Sequence, residues 1–494
     1  MSRSAAIIGS GFGGLALAIR LQSAGIATTV LEARDKPGGR AYYWEKDGHV
    51  FDAGPTVITD PDCLKELWAL SGARLEDDVE LIPVSPFYRL SWPDGTAFDY
   101  VNDDAQLASQ IAALEPDDVA GYRRFLDYSA GVFEEGYVKL GAVPFLDFKT
   151  MIAAAPALAR YQAWRSVYAM VSRFVRNEKL RQALSFHTLL VGGNPTTTSA
   201  IYALIHKLER DGGVWFPRGG TNRLVAAMVR HFERLGGTLR LGDKVTRIGA
   251  RDDRVTEVAT ASGWSQAFDA VASNGDVVRT YDLLDHPRGP KAARRLRRKR
   301  FSPSLFVVHF STRRPYPGVP HHSILFGPRY QGLLKDIYGG RLADDPSLYL
   351  HHPTATDPGM APPGKGTFYV LAPVPHLGHG IDWKAEAPAY VQRILAILEE
   401  RTLPGLRANL DQLFHFGPLE FESVLDSHLG SAFSLEPLLT QSAWFRVHNR
   451  DDTIPNLYFV GAGTHPGAGI PGVVGSARAT AGLMIADLAK EEPA

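Results

Sequence analysis

An α/β fold built on a parallel, nucleotide-binding sheet is predicted by three features of the sequence. A glycine-rich turn joins an apolar strand to a helix near the N-terminus, a second such turn precedes a helix near the C-terminus, and the middle leaves this pattern and returns to it. The first feature is Ala5-Ala6-Ile7-Ile8, then Gly9-Ser10-Gly11-Phe12-Gly13-Gly14, then a helix over 13–24 and a strand over 28–31 closed by Glu32. This is the G-x-G-x-x-G arrangement of a Rossmann-type dinucleotide site. Gly9 permits the tight turn, Gly11 lets backbone approach a pyrophosphate, and Gly14 lets the helix lie close on the sheet. Phe12 and Gly13 open the helix, whose N-terminal N–H groups and positive dipole end face the phosphates. Glu32 accepts hydrogen bonds from a ribose diol and disfavours a 2′-phosphate there.

The residues after Glu32 discriminate among dinucleotides. A nicotinamide domain runs into another βα unit, whereas this chain continues as Lys36-Pro37-Gly38-Gly39-Arg40-Ala41 and then Phe51-Asp52-Ala53-Gly54-Pro55-Thr56. Gly39 sits in a flexible turn that carries Arg40, whose guanidinium either meets a phosphate bidentately or lies at the surface beside the turn. Gly54, Pro55 and Thr56 form a loop where backbone can approach a ring system. This start resembles the FAD-binding segment of the flavin amine oxidase and carotenoid desaturase superfamily.

The C-terminal feature is a strand over 456–460, the loop Gly461-Ala462-Gly463-Thr464-His465-Pro466-Gly467-Ala468-Gly469-Ile470-Pro471-Gly472-Val473, and a helix. Its apolar face is expected to carry Val474, Ala477, Ala481, Met484, Ile485 and Leu488. Only one helix comes after the loop, so the loop is read as returning to the first domain, with the helix dipole aimed at the flavin or ribityl chain. Gly461, Gly463, Thr464, Gly472 and Val473 are its candidate contacts. Many FAD enzymes place an aspartate near here; Gly463-Thr464 stands in its place.

Between the ends, 57–110 mixes a helix over 64–71 with strands over 87–92 and 97–100, and 116–210 is mainly helical. A helix over 222–235 and strands over 238–241, 245–248, 255–259 and 268–272 return to the nucleotide pattern. Val245 is either an adenine contact, as in such folds, or an ordinary strand residue. The organisation expected is a discontinuous FAD-binding domain over 1–75, 214–290 and 435–494. Inserted in it are a mixed-sheet substrate domain over 76–115 and 291–434 and a helical, membrane-facing subdomain over 116–213.

Composition sets outer limits. With 494 residues the chain has ample core, and its 53 basic and 53 acidic side chains create no overall field toward nucleic acid. The lone Cys63 excludes an intrachain disulfide and a Cys-cluster metal site, no metal is expected, and a reducing cytoplasmic compartment fits. A first strand at Ala5 leaves no room for a signal peptide, and no apolar run approaches membrane-spanning length.

The chain resembles the bacterial phytoene desaturase family over essentially its whole length. The resemblance is carried by 11–21, 51–61, Leu189-Leu190-Val191-Gly192-Gly193-Asn194-Pro195, 215–221, 369–376, Thr440-Gln441-Ser442-Ala443-Trp444-Phe445-Arg446 and 461–472. It implies an FAD-dependent oxidoreductase acting on CH–CH groups, which desaturates 15-cis-phytoene stepwise, with lycopene the expected product. A flavin accepts a hydride from an allylic carbon, and a proton leaves the neighbouring carbon to a base or water. The enzyme then needs an apolar tunnel, oxygen or a quinone to reoxidise the flavin, and no bound nicotinamide cofactor. The proton acceptor is not assigned; the histidines that could serve are His465, His376, His351, His352, His321 and His322. The substrate is a C40 hydrocarbon, so peripheral docking on a membrane is expected. Val143-Pro144-Phe145-Leu146, a helix over 151–159 and another over 161–174 bearing Tyr161, Trp164, Tyr168 and Phe174 among arginines are the candidates. The basic run 294–300 is a second one. The alternatives are a related desaturase or isomerase acting on another polyene, a flavin amine oxidase, and a flavin-free isoprenoid-binding protein.

Overall fold

The computed structural model describes residues 3–490. Five strands form a parallel sheet in the order Leu457–Phe459, Ala270–Ser273, Ser4–Ile8, Ala27–Leu31, Thr238–Arg240. The strand Ser4–Ile8 is central, with Ile8 level with Leu31 on one side and Ser273 on the other. Such a strand is covered on both faces, which is why it reads as an uninterrupted small and apolar run. One cover is the helix Phe12–Ser23, packed between the helices Ile470–Lys490 and Thr221–Arg234. Thus the first and last helices of the chain share one core. In the final helix Val474, Ala477, Ala481, Met484 and Leu488 are buried as the spacing predicts, but Ile485 is 37% exposed. It stands one residue beyond Met484, about 100° round a helix, and so leaves the stripe.

A second, mixed sheet of seven strands has the order Leu410–Phe416, Ser304–Thr312, Gly366–Val374, Leu348–His351, His322–Leu325, Tyr88–Ser91, Ala97–Tyr100. All its pairings are antiparallel except that between His322–Leu325 and Tyr88–Ser91. The period-2 rule divides its faces. Phe306, Val308 and Phe310, with Phe368, Val370 and Ala372, pack against the helix Trp383–Arg401. The alternate residues Leu305, Val307 and His309, with Tyr369, Leu371 and Pro373, face the central cavity.

The helical part includes Asp104–Leu114, Asp118–Phe133, Phe148–Arg160, Val167–Val171, Glu178–Ser185 and Leu204–Gly212. The single helix expected over 161–174 does not form. Gln162 adopts φ 51°, and Ser166 caps a fresh short helix by accepting from the Ala169 N–H. Asp118 then fixes the next turn, its buried carboxylate accepting from the N–H groups of Arg176 and Asn177 at 2.7–2.9 Å. Tyr161 and Phe174 are thereby turned onto Tyr128, and Trp164 alone of the four aromatics remains exposed, at 64%.

Candidate active site

The strand ends, the glycine turns and the inner face of the mixed sheet enclose one cavity of about 820 Å³. At its nucleotide end, Gly9 takes φ 94°, a conformation glycine adopts without strain. The helix Phe12–Ser23 begins at Gly11 with no side-chain cap and no acidic residue in its first turn, so its free N–H groups are left for an anion. A Cβ on Gly11 would come 2.8 Å from Asn274 Nδ2, and one on Gly13 would come 2.6 Å from Asn274 Oδ1. The turn is therefore a close-packed cradle with no room for side chains. A Cβ on Gly14 would overlap the Gly9 carbonyl, which accounts for that glycine by helix–strand packing.

Glu32 is buried and already oriented. Its Oε2 accepts from Ser10 N–H at 2.9 Å and Ser10 Oγ at 2.6 Å, and its Oε1 accepts from Arg34 N–H at 3.0 Å. A carboxylate has about four acceptor sites, so Oε1 retains capacity for a ribose hydroxyl. Arg40 is half-buried in the cavity wall and donates from Nη2 to Ser427 Oγ at 3.2 Å, while its Nε has no partner. Burial pulls its guanidinium below the ordinary value, opposed by the Asp276 carboxylate. Asp276 caps the helix Val277–Leu283, accepting from Val278 and Arg279 N–H, and burial raises its carboxyl. Unpaired donor and acceptor atoms at the edge of a glycine cradle fit a bound pyrophosphate and ribose.

Gly9, Gly11, Phe12, Gly13, Glu32, Gly39, Arg40, Gly54, Pro55, Thr56, Val245, Gly463, Gly472 and Val473 all line this cavity. Gly14, Gly461 and Thr464 do not reach its wall. Gly461 lies against Asn274, and the Thr464 hydroxyl is committed to the Val447 carbonyl at 2.6 Å. Gly54 has φ 125° and open space where a Cβ would project, so its backbone is bare to the cavity. Asn274 and Asp276, which no sequence motif singles out, also line the wall. The available signal is their place just past the strand Ala270–Ser273, since ligands bind at carboxyl ends of parallel strands.

Beyond Thr56 the wall becomes apolar, with Leu189, Leu190, Ile201, Leu305, Val307 and Leu371. Three of its hydroxyls lie together: Thr56 Oγ1 is 2.6 Å from Tyr369 Oη and 3.1 Å from Tyr349 Oη. Burial raises both tyrosines, which keeps them neutral. Of the six candidate histidines only His465 lines the cavity. Its Nε2–H donates to the Leu140 carbonyl at 2.8 Å, and burial lowers it to about 4, so the imidazole is uncharged near neutrality. The arrangement offers a dinucleotide cradle opening directly into a mainly apolar chamber, whose wall also carries the buried pair His187 and Glu209.

A family model described as flavin containing amine oxidoreductase matches residues 12–485, and the chain belongs to that family. Its cofactor is FAD. The lycopene-forming phytoene desaturase of Paracoccus sp. (strain N81106 / MBIC 01143) is 63% identical over 492 residues, 99% of this chain and 98% of that protein. The lycopene-forming phytoene desaturase of Pseudescherichia vulneris is 60% identical over 486 residues, 98% of this chain and 99% of that protein. Within the flavin-containing family, the chain is thus a member of the phytoene desaturase group. Among solved structures, cyclohexylamine oxidase from Brevibacterium oxydans IH-35A shares the fold at TM-score 0.64 and 17% identity, covering 99% of this chain and 100% of that one.

Proposed function

We propose that the chain is an oxidoreductase that desaturates 15-cis-phytoene stepwise to lycopene. Similarity to lycopene-forming enzymes over nearly the full length supports this reading. The observation that carries it is the union of a dinucleotide cradle and an apolar chamber in one cavity.

Bound FAD supplies a hydride acceptor. The protein's residues do the rest. Glu32 and the N-terminus of the helix Phe12–Ser23 hold the adenosine ribose and pyrophosphate, and Arg40 supplies a cation beside them. The bare backbone at Gly54 leaves space for the ring system, and 469–473 line the same cavity. The apolar wall excludes water, so charge developing on an allylic carbon is shared with the polyene. Thr56, Tyr349 and Tyr369 satisfy one another and present no free base to that carbon.

Docking on a membrane surface is part of the proposal. No helix among the described residues is long and apolar enough to cross a membrane. Val138, Phe148, Ile152 and Trp164 are 49–64% exposed, and all lie in the helical part. Phe148 packs on Trp444, next to Phe445, whose carbonyl accepts from Lys299 Nζ at 2.8 Å. The basic run thus adjoins the apolar patch, although Arg297 and Arg300 are tied to Asp282 and Glu436. Apolar side chains framed by cations suit an anionic lipid surface. Phe145, Met151 and Leu158 of the same part line the cavity, placing its wall beneath the patch. Oxygen or a membrane quinone would reoxidise the flavin.

The test is anaerobic incubation of the FAD-loaded protein with 15-cis-phytoene in liposomes. Flavin bleaching with about one new double bond per bound FAD is expected anaerobically, and further desaturation to lycopene once oxygen or quinone is admitted to reoxidise the flavin. Retained flavin without new conjugation, even after adding oxygen or quinone, would move the reading to another polyene or to isomerisation.

A further inference from the structure

Behind the cavity wall lies a cluster of histidines that the desaturation chemistry does not use. His322 and His351 face each other across adjacent antiparallel strands, and His321 precedes His322. All three are 3% exposed or less. Their rings are mutually close, with centroids 4.3 Å apart for His321–His322, 4.7 Å for His321–His351 and 5.5 Å for His322–His351. One ring nitrogen of each lies within 4.8 Å of the other two.

The outer contacts fix how the rings point. His321 Nδ1 bonds Thr356 Oγ1 at 2.6 Å, and His322 Nδ1 bonds Tyr349 Oη at 2.7 Å. The Nε2 atoms of both, and both nitrogens of His351, have no hydrogen-bond partner among the described residues. With Nδ1–H donated outward, each Nε2 carries a lone pair. Burial keeps all three imidazoles neutral, the state in which they ligate. Asp52 Oδ2, also unpaired, stands 3.8 Å from His351 Nε2. Hydroxyl partners on the far side of ligating imidazoles, as Thr356 and Tyr349 are here, belong to the outer shell that metal sites employ, and Asp52 stands within a short closure of that place beside His351. Sealed lone pairs with no donor are costly, and a cation removes that cost.

We propose that His321, His322 and His351 bind one divalent transition-metal ion of the zinc class, with Asp52, Thr356 and Tyr349 orienting them. Bonds of about 2.0–2.1 Å in a tetrahedral site hold ligands roughly 3.3 Å apart, so the rings close inward on loading. The ion clamps the two strands of the mixed sheet to Asp52, which itself accepts from Thr221 N–H at the start of the helix Thr221–Arg234. Its role is structural and independent of the polyene.

The experiment is metal analysis of the untagged, FAD-loaded full chain after equilibration with zinc and dialysis, with cobalt substitution as a spectroscopic readout. One ion per chain and the visible bands of tetrahedral cobalt are expected. His351→Gln and His322→Gln should each weaken retention by at least tenfold. The surface pair His376 and His379, with rings 4.5 Å apart, is the competing site. The double variant H376Q/H379Q should keep full stoichiometry. No retained zinc, absence of tetrahedral cobalt bands in the wild-type protein, or loss of metal only in H376Q/H379Q would each overturn the proposal. If either buried-site variant fails to fold, the wild-type cobalt spectrum and the surface-pair control still decide.

Discussion

Ser10 and Arg34 hold the Glu32 carboxylate before any ribose arrives. Replacing it with alanine removes the ribose acceptor and strands the two backbone N–H donors. Glu32→Ala is expected to lower FAD affinity at least tenfold, read by flavin titration. It should also cost the apoprotein about 1–3 kcal/mol, read by denaturant unfolding. His465 yields a pH prediction. Its folded value is lowered to about 4 against 6.5 in the unfolded chain, so the unfolded state binds more protons across that window. Stability should fall as pH drops from about 6.5 to 4, by an amount on the order of 3 kcal/mol. His465→Gln should flatten that slope in unfolding measured at several pH values. At this scale the sequence is legible where backbone demands glycine or a ribose demands a carboxylate, as at Gly9, Gly11 and Glu32. Asn274 is not, because its role is to fill the space that three distant glycines leave, and no local pattern records that.

Elements whose period is uninterrupted are legible in the sequence. The helix expected over 222–235 is Thr221–Arg234, and the strand expected over 97–100 is Ala97–Tyr100. The segment 161–174 departs from its expected single helix because its apolar spacing is broken by a left-handed Gln162 and a capping Ser166, both ordinary in a helical composition. That correction narrows the set proposed to face lipid to Phe148–Arg160 and its neighbours. The double variant Ile152→Glu/Trp164→Glu removes two exposed apolar anchors and should lower binding to anionic liposomes by at least tenfold. Burying such side chains contributes about 1.5–3 kcal/mol each. Vesicle sedimentation checks this, with unchanged flavin content showing that the fold is intact.

For the molecule as a whole, the cofactor would add contacts across parts already joined by backbone pairing, as between Leu81–Pro83 and Trp215–Pro217. FAD at a concentration about 100-fold above its dissociation constant should stabilise the folded chain by about 2.7 kcal/mol, and its removal should lower the melting temperature accordingly. Calorimetry of apo- and holoprotein checks this. The bipartite layout is legible because both ends carry turn chemistry, whereas the single cavity is not, since its wall joins residues from every part of the chain. The strand Leu457–Phe459 and the loop 461–473 close a sheet and a chamber that Ser4–Ile8 and Gly9 begin. A ribosome therefore delivers the turn at Gly9 long before the loop 461–473. Flavin capture has to wait for the later of the two, and a nascent chain halted before Leu457 bears the glycine signature without the loop that completes the chamber.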